Sequence, residues 1–294
     1  MKSKKILFLL AVLFLMLNAG KTTAQEKTNN AEVLDSVQFR VLYEFSQQAD
    51  KQREKTILTD TMALLVGANW SEYYDWHKTK LDSLEQLISE QLDIIFWVVN
   101  DDELNTRLEA GAEVYNTPRK PETSRVYKER MKQKIITFDD GPFERGVGST
   151  YLVLDENVPP MDWVISSDTA TVLGYLCTKA STTFRGRTYD AWFSPEIPAS
   201  EGPWKLYGLP GLILKAETTD GIFRFRTIGL QTITNKGIAF PDDRKNVPAK
   251  DIKQLNDFRK NKRRQINVIL GKDKNTTGYL TANPVTYQNL EIGN

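Results

Sequence analysis

The chain has 294 residues, of which 40% are hydrophobic, and carries 39 lysines and arginines against 38 aspartates and glutamates. So even a balance gives no general attraction to nucleic acid or to a membrane surface. A single cysteine and a single histidine exclude an internal disulfide and leave too few ligands for a metal centre built on His and Cys, and no Walker loop or dinucleotide fingerprint appears, so neither metal nor cofactor is expected.

The first 24 residues read as a secretory signal peptide. Lys2, Lys4 and Lys5 precede an unbroken apolar run from Ile6 to Leu17, and Thr22-Thr23-Ala24 supplies small residues before Gln25. Twelve apolar residues are too few to span a bilayer, and no cysteine follows for a lipid anchor. The expectation is an exported chain, periplasmic or associated with the outer membrane, whose mature part (residues 25–294) forms one domain with no transmembrane segment.

Ser36 to Phe45 alternates, with Val37, Phe39, Val41, Tyr43 and Phe45 on one face, and predicts a strand. Lys55 to Val66 predicts a second, broken by Gly67-Ala68-Asn69. Ser71 to His77 reads as an irregular aromatic loop. Lys78 to Ile95 predicts an amphipathic helix, because Leu81, Leu84, Leu87, Ile88, Leu92 and Ile95 follow three-and-four spacing. Residues 101–122 read as a polar excursion. Short strands then recur: Lys134 to Phe138, a turn at Asp140-Gly141-Pro142, Tyr151 to Leu154, Val172 to Ala180, and Thr182 to Phe193. Residues 241–270 change character. Nine basic residues fall between Arg244 and Arg264, and Ile252, Leu255 and Phe258 sit at helical spacing, which predicts a short helix with a solvated basic face. Residues 271–294 form a polar tail.

The most informative stretch is Gly202-Pro203-Trp204-Lys205-Leu206-Tyr207-Gly208-Leu209-Pro210-Gly211-Leu212-Ile213-Leu214. Pro210 and Gly211 suit the two central positions of a type II turn, and Leu212 to Leu214 begins a buried strand. Asp220-Gly221 then marks a hairpin into Phe223-Arg224-Phe225-Arg226, whose phenylalanines and arginines alternate. This density of short strands predicts a mainly β fold: a single curved, bowl-like or partly closed antiparallel sheet with one amphipathic helix packed on it.

The turn motif Gly208, Leu209, Pro210, Gly211, Leu212 and Ile213 resembles the signature of the GLPGLI family of Bacteroidetes envelope proteins. Trp163-Val164-Ile165, Gly174 to Ala180, Phe184 to Arg187, Ala191-Trp192-Phe193, Ile197-Pro198 and Gly202-Pro203-Trp204 resemble further blocks of that family in the same order, over roughly residues 35–290. The resemblance implies an envelope location and no settled activity. The family also looks similar to a bowl-like module attached to some bacterial peptide N-glycosidases, which implies a concave binding surface without catalysis. Asp168-Thr169-Ala170 and Asp82-Ser83-Leu84 resemble an O-glycosylation sequon of the same bacterial group.

Catalytic signals are sparse. His77 sits in no nucleophile context, and Cys177 lies among strand-like residues, where cysteine is usually a small hydrophobe. Asp168, Asp190, Glu196 and Glu201 are the carboxylates from which a two-carboxylate hydrolase could be assembled. The richest polar constellation is Lys179, Arg185 and Arg187, which would share a face if a hairpin turned at Ala180-Ser181-Thr182, and arginine forks grip carboxylate or phosphate. Trp192 and Trp204 would add flat contacts, and Trp70 and Trp76 a second aromatic patch. This pattern favours a binding or accessory protein that docks a peptide, a glycan or an outer-membrane partner such as a transporter on a concave β surface, and not nucleic acid. The alternative is a carboxylate-dependent hydrolase acting on glycan or peptide.

Overall fold

Strand-period alternation accounts for most of the architecture in the computed structural model, which describes residues 32–48, 57–77, 95–99, 114–116, 124–144, 148–241, 245–262, 267–271, 279–281 and 290–291. The predicted helix over 78–95 lies outside these residues apart from Ile95, and so do residues 1–31. In chain order the elements are β1 (Val33–Ser36), β2 (Phe39–Gln48), β3 (Ile57–Val66), β4 (Trp70–Asp75), β5 (Ile95–Val99), β6 (Val114–Asn116), β7 (Arg125–Glu129), β8 (Lys134–Glu144) and β9 (Gly148–Asn157). There follow β10 (Val164–Val172), β11 (Tyr175–Phe184), β12 (Arg187–Ser194), β13 (Leu212–Thr218), β14 (Phe223–Thr232), β15 (Gly237–Ala239), β16 (Asn246–Pro248), helix α1 (Ile252–Lys262), β17 (Asn267–Gly271) and β18 (Tyr279–Thr281).

Twelve of these strands form one sheet in the order β10-β11-β12-β13-β14-β2-β3-β4-β7-β8-β9-β16. It consists of two meanders, each built from near neighbours in sequence except for the late edge strand β16, and joined where β14 pairs with β2. A two-stranded sheet (β1-β15) and a four-stranded one (β5-β17-β18-β6) complete the set. The fold is therefore mainly β, as expected, but not a single antiparallel sheet: β16 runs parallel to β9 and β18 parallel to β6. The terminal strands β10 and β16 do not pair with each other, so the large sheet is not closed into a barrel.

Turn chemistry sets the first meander. Leu173-Gly174 (φ 50° and 83°) and Arg185-Gly186 (φ 51° and 77°) each link strands through two residues at positive φ, the type I′ geometry whose twist matches that of the strands. The second of these replaces the turn expected at Ala180-Ser181-Thr182, which instead lies within β11. At Asp220-Gly221 the sequence reading holds. The Gly221 N–H donates to Thr218 O at 2.8 Å, and Asp220 accepts hydrogen bonds from the Thr218 hydroxyl (2.6 Å) and the Ile222 N–H (3.1 Å). Two further expectations fail. Trp70 to Asp75 is a strand, not a loop, and five of its six residues are buried, so it shows no alternation. Asp140-Gly141-Pro142 is an irregularity inside β8, which continues to Glu144.

The two faces of the large sheet differ. One carries the main core: Val41, Tyr43 and Phe45 of β2, Met62 and Leu64 of β3, Ala180, Tyr189, Ala191 and Phe193 of the first meander, and Phe223 and Phe225 of β14. Chain segments fill this face. The stretch 201–213 lies across it as a clasp, with Trp204, Leu206 and Leu209 in the core. Lys128 and Glu201, both almost wholly buried, pair at 2.6 Å, Arg130 reaches the other Glu201 oxygen at 2.7 Å, and Lys128 also donates to Gly202 O and Leu206 O. Within the clasp the Gly211 N–H donates to Leu209 O at 2.8 Å, so Pro210 centres a three-residue γ-turn instead of entering a type II turn. Gly211, at φ 154°, packs against Ser194 and Pro195 backbone too closely for any Cβ.

Helix α1 rests on the buried Leu152 and Leu154 of β9 through Ile252 and Leu255. Asp251 caps its start by accepting the Gln254 N–H at 2.7 Å. Its basic face is not wholly solvated, because Arg259 is buried against Asp139 at 2.5 Å.

The opposite face is covered only in part. Over β3, β4, β7 and β8, the aromatic and aliphatic side chains Ala63, Leu65, Tyr74, Tyr127, Ile136 and Phe138 lie beneath Val37, Ile238 and Phe240. Over β10–β14 the side chains on that face reach solvent. Among the described residues, no helix is long and apolar enough to cross a membrane.

Candidate functional site

The register of the first meander places its outward side chains in rows across the strands. Lys179 faces Trp192, Trp192 faces Lys215, Lys215 faces Arg226, and Arg226 faces Glu44. Glu44 in turn faces Thr61, and the Trp76 N–H donates to Thr61 O at 3.0 Å. Five strand spacings of about 4.8 Å separate Trp192 from Trp76, so an aromatic ring stands near each end of a track roughly 24 Å long. The neighbouring row runs Ser181, Asp190, Glu217, Arg224 and Ser46.

The half-buried Trp192 lies between two ammonium groups. Lys215 Nζ is 3.9 Å from its ring centroid and Lys179 Nζ is 5.6 Å away. Each lysine also has a carboxylate: Lys179 pairs with Asp190 at 3.0 Å and Lys215 with Glu217 at 3.2 Å. Partial burial works against the Asp190 charge, but hydrogen bonds from the Ser181 hydroxyl (2.6 Å) and from Lys179 outweigh it and hold the carboxyl below its ordinary 3.8. The hydrogen bond to Asp190 in turn raises Lys179. At the far end the Arg40 guanidinium stacks over Trp76 at 4.2 Å. Five cations (Lys179, Lys215, Arg224, Arg226, Arg40) thus stand among four carboxylates (Asp168, Asp190, Glu217, Glu44), a surface suited to flat or anionic groups.

The other residues singled out in the sequence go elsewhere. Arg185 occupies a turn and pairs with Glu156. Arg187 is buried, with its guanidinium 2.7 Å from Asp220 and stacked over Phe223 at 4.8 Å. The three cations of the proposed constellation therefore do not share a face. Trp204 is 1% exposed, at φ 54°, against Phe184 and Tyr189. Trp70 is half-buried with Phe240 edge-on to it at 5.7 Å. Lys215, Glu217, Arg224 and Arg226 were missed as a set, although the alternation over 214–217 and 223–226 already put them on one side of their strands.

Glu201 is consumed by its buried pairs with Lys128 and Arg130 and has no solvent access, so it cannot serve as a hydrolytic carboxylate. Asp190 is held by Lys179 and Ser181, and Glu196 accepts the Leu176 N–H at 3.4 Å. Asp168 and Thr169 are exposed on the edge strand β10, whereas Ser83 lies outside the described residues. Burial pushes the Cys177 thiol up, which disfavours a thiolate. Among the described residues, no group of three or more His, Cys, Asp or Glu could hold a metal ion.

A model of a protein family of unknown function, described as Porph_ging, matches residues 182–215, a stretch that includes the Gly208–Ile213 motif. No curated protein matches. Solved structures with weak similarity include PNGF-II in space group P21 (TM-score 0.45, 12% identity) and in space group C2 (TM-score 0.46, 13% identity). The alignments cover 76% of this chain and 34% and 33% of the PNGF-II chains, so the protein spans about a third of their length.

Proposed function

We propose that this is an exported envelope protein of the GLPGLI kind, a binding or accessory protein that docks a peptide, glycan or outer-membrane partner. The docking surface is the outward face of β11–β14 and β2, not the core face, which the clasp, α1 and Leu290 already fill. The observation that carries this reading is Trp192 between Lys179 and Lys215. A ring flanked by ammonium groups offers a stacking platform and charge to one ligand, the combination that sugar rings or aromatic and acidic side chains engage.

The test compares the mature protein with a Lys179→Gln/Trp192→Ala/Lys215→Gln variant in crosslinking to its native envelope, read by mass spectrometry, and on an array of acidic glycans and peptides. A partner or ligand recovered by the wild type and lost from a variant with unchanged circular dichroism supports the docking face. Binding that survives the triple substitution overturns it.

A further inference from the structure

Leu290 and Glu291 belong to no strand, yet they are 4% and 1% exposed. They are held as a bound dipeptide would be. Leu290 packs into the main core cluster, and its carbonyl accepts from the Tyr189 hydroxyl at 3.4 Å. The Glu291 carbonyl accepts from Asn256 Nδ2 of α1 at 3.1 Å, and its carboxylate lies 2.5 Å from Lys205 Nζ. The receiving site thus comprises an apolar seat, two donors to backbone and a fully buried ammonium.

Charge makes the site dependent on an acidic occupant. Lys205 shares Glu156, at 3.1 Å, with Arg185. With Glu291 in place, two cations face two carboxylates. With Glu291 withdrawn, two cations face one, and Lys205 must exchange a carboxylate partner at 2.5 Å for water or another acidic group. The resident segment also leaves the site incompletely matched: Glu291 Oε2 and Arg185 Nε are buried without a hydrogen-bond partner.

The geometry points to a peptide-binding site between β12, the Trp204-Lys205 corner and α1 that this chain fills with its own Leu290-Glu291 and that accepts a Leu-Glu peptide in trans when the segment is displaced. A resident segment competes at the high effective concentration of an intramolecular ligand, so occupancy in trans requires its release.

The probe is a fluorescein-labelled peptide with the sequence of residues 285–294, followed by anisotropy. Added to the full-length Leu290→Ala/Glu291→Ala variant, it is expected to bind saturably. Binding to the wild type should be at least tenfold weaker, and the peptide carrying Glu291→Gln should also lose at least tenfold. Equal binding to both proteins, or binding to neither, overturns the proposal. Hydrogen exchange on the wild type guards against a variant that fails to fold. Release predicts that the amides of Leu290 and Glu291 exchange faster than those of β12, whereas exchange of both only by global unfolding makes the segment permanent core and overturns the proposal.

Discussion

Arg185 and Glu156 form an ion pair, although Arg185 turns between the second and third strands of the large sheet and Glu156 lies on the eleventh. In a flat sheet eight strand spacings, roughly 38 Å, would separate them. The contact therefore requires the sheet to roll until its two halves meet across the core face. The clasp makes the same connection, since the Ile213 N–H donates to Glu201 O while Lys128 of β7 holds the Glu201 carboxylate.

Because Glu156 serves both Arg185 and Lys205, its loss should cost more than the loss of either contact. Arg185→Ala is expected to cost about 1–2 kcal/mol and Glu156→Gln about 2–4 kcal/mol, since the second leaves Arg185 without its carboxylate and the buried Lys205 with Glu291 alone. Urea denaturation measures both. Equal costs would refute the shared-carboxylate account.

Two glycines at positive φ should respond differently to alanine. A Cβ on Gly211 would lie 2.2 Å from Ser194 O, a backbone atom that cannot swing aside, whereas a Cβ on Gly174 meets nothing within 4 Å. Gly211→Ala is expected to cost more than about 4 kcal/mol or to abolish soluble expression, and Gly174→Ala only about 1–2 kcal/mol of left-handed strain. Thermal melts separate the two, and a mild Gly211→Ala would mean that the clasp is not seated as described.

Burial of Asp35 opposes its charge, but the N–H groups of Trp70 (2.9 Å), Asn69 (2.7 Å) and Ser36 (2.8 Å) prevail and hold its carboxyl below the ordinary 3.8. A carboxyl depressed on folding stabilises the protein above its unfolded value and loses that contribution as pH falls through the folded one. Asp35→Asn should therefore lower the melting temperature near pH 7, with wild type and variant converging in the acid range below about pH 4. A difference that stays constant down to about pH 2 would show that the carboxylate charge plays no part.

Cys177 is buried, and burial raises its thiol. It should resist Ellman's reagent in the native protein and react only as fast as the chain opens. Prompt stoichiometric labelling without denaturant would contradict the placement of β11.

Sequence patterns revealed what depends on near neighbours. Phe223-Arg224-Phe225-Arg226 declared its two faces, Asp220-Gly221 its turn, and Ile252, Leu255 and Phe258 their helix. Trp70 to Asp75 escaped because a strand buried on both sides loses the period of two that identifies it. The Arg185-Gly186 turn was missed because arginine is an unusual residue at positive φ. The candidate site was legible only as fragments. Trp192 and Lys179 stood out as residue types, but their meeting with Lys215 and Arg226 depends on which strands lie side by side, and no local pattern encodes that order.

The seam between β14 and β2 joins Arg226 to Glu44, 182 positions apart. Apart from the edge strand β16, each meander can assemble from its own neighbours, but neither becomes part of the finished sheet until both exist. In folding, β2 therefore waits, with one edge bare, for a partner that lies most of the chain away, and β14 has an open edge of its own. Contacts this distant in sequence slow the final step. The half-assembled molecule is thus both long-lived and adhesive, and its greatest exposure to misassociation falls before the last seam closes rather than in the native state.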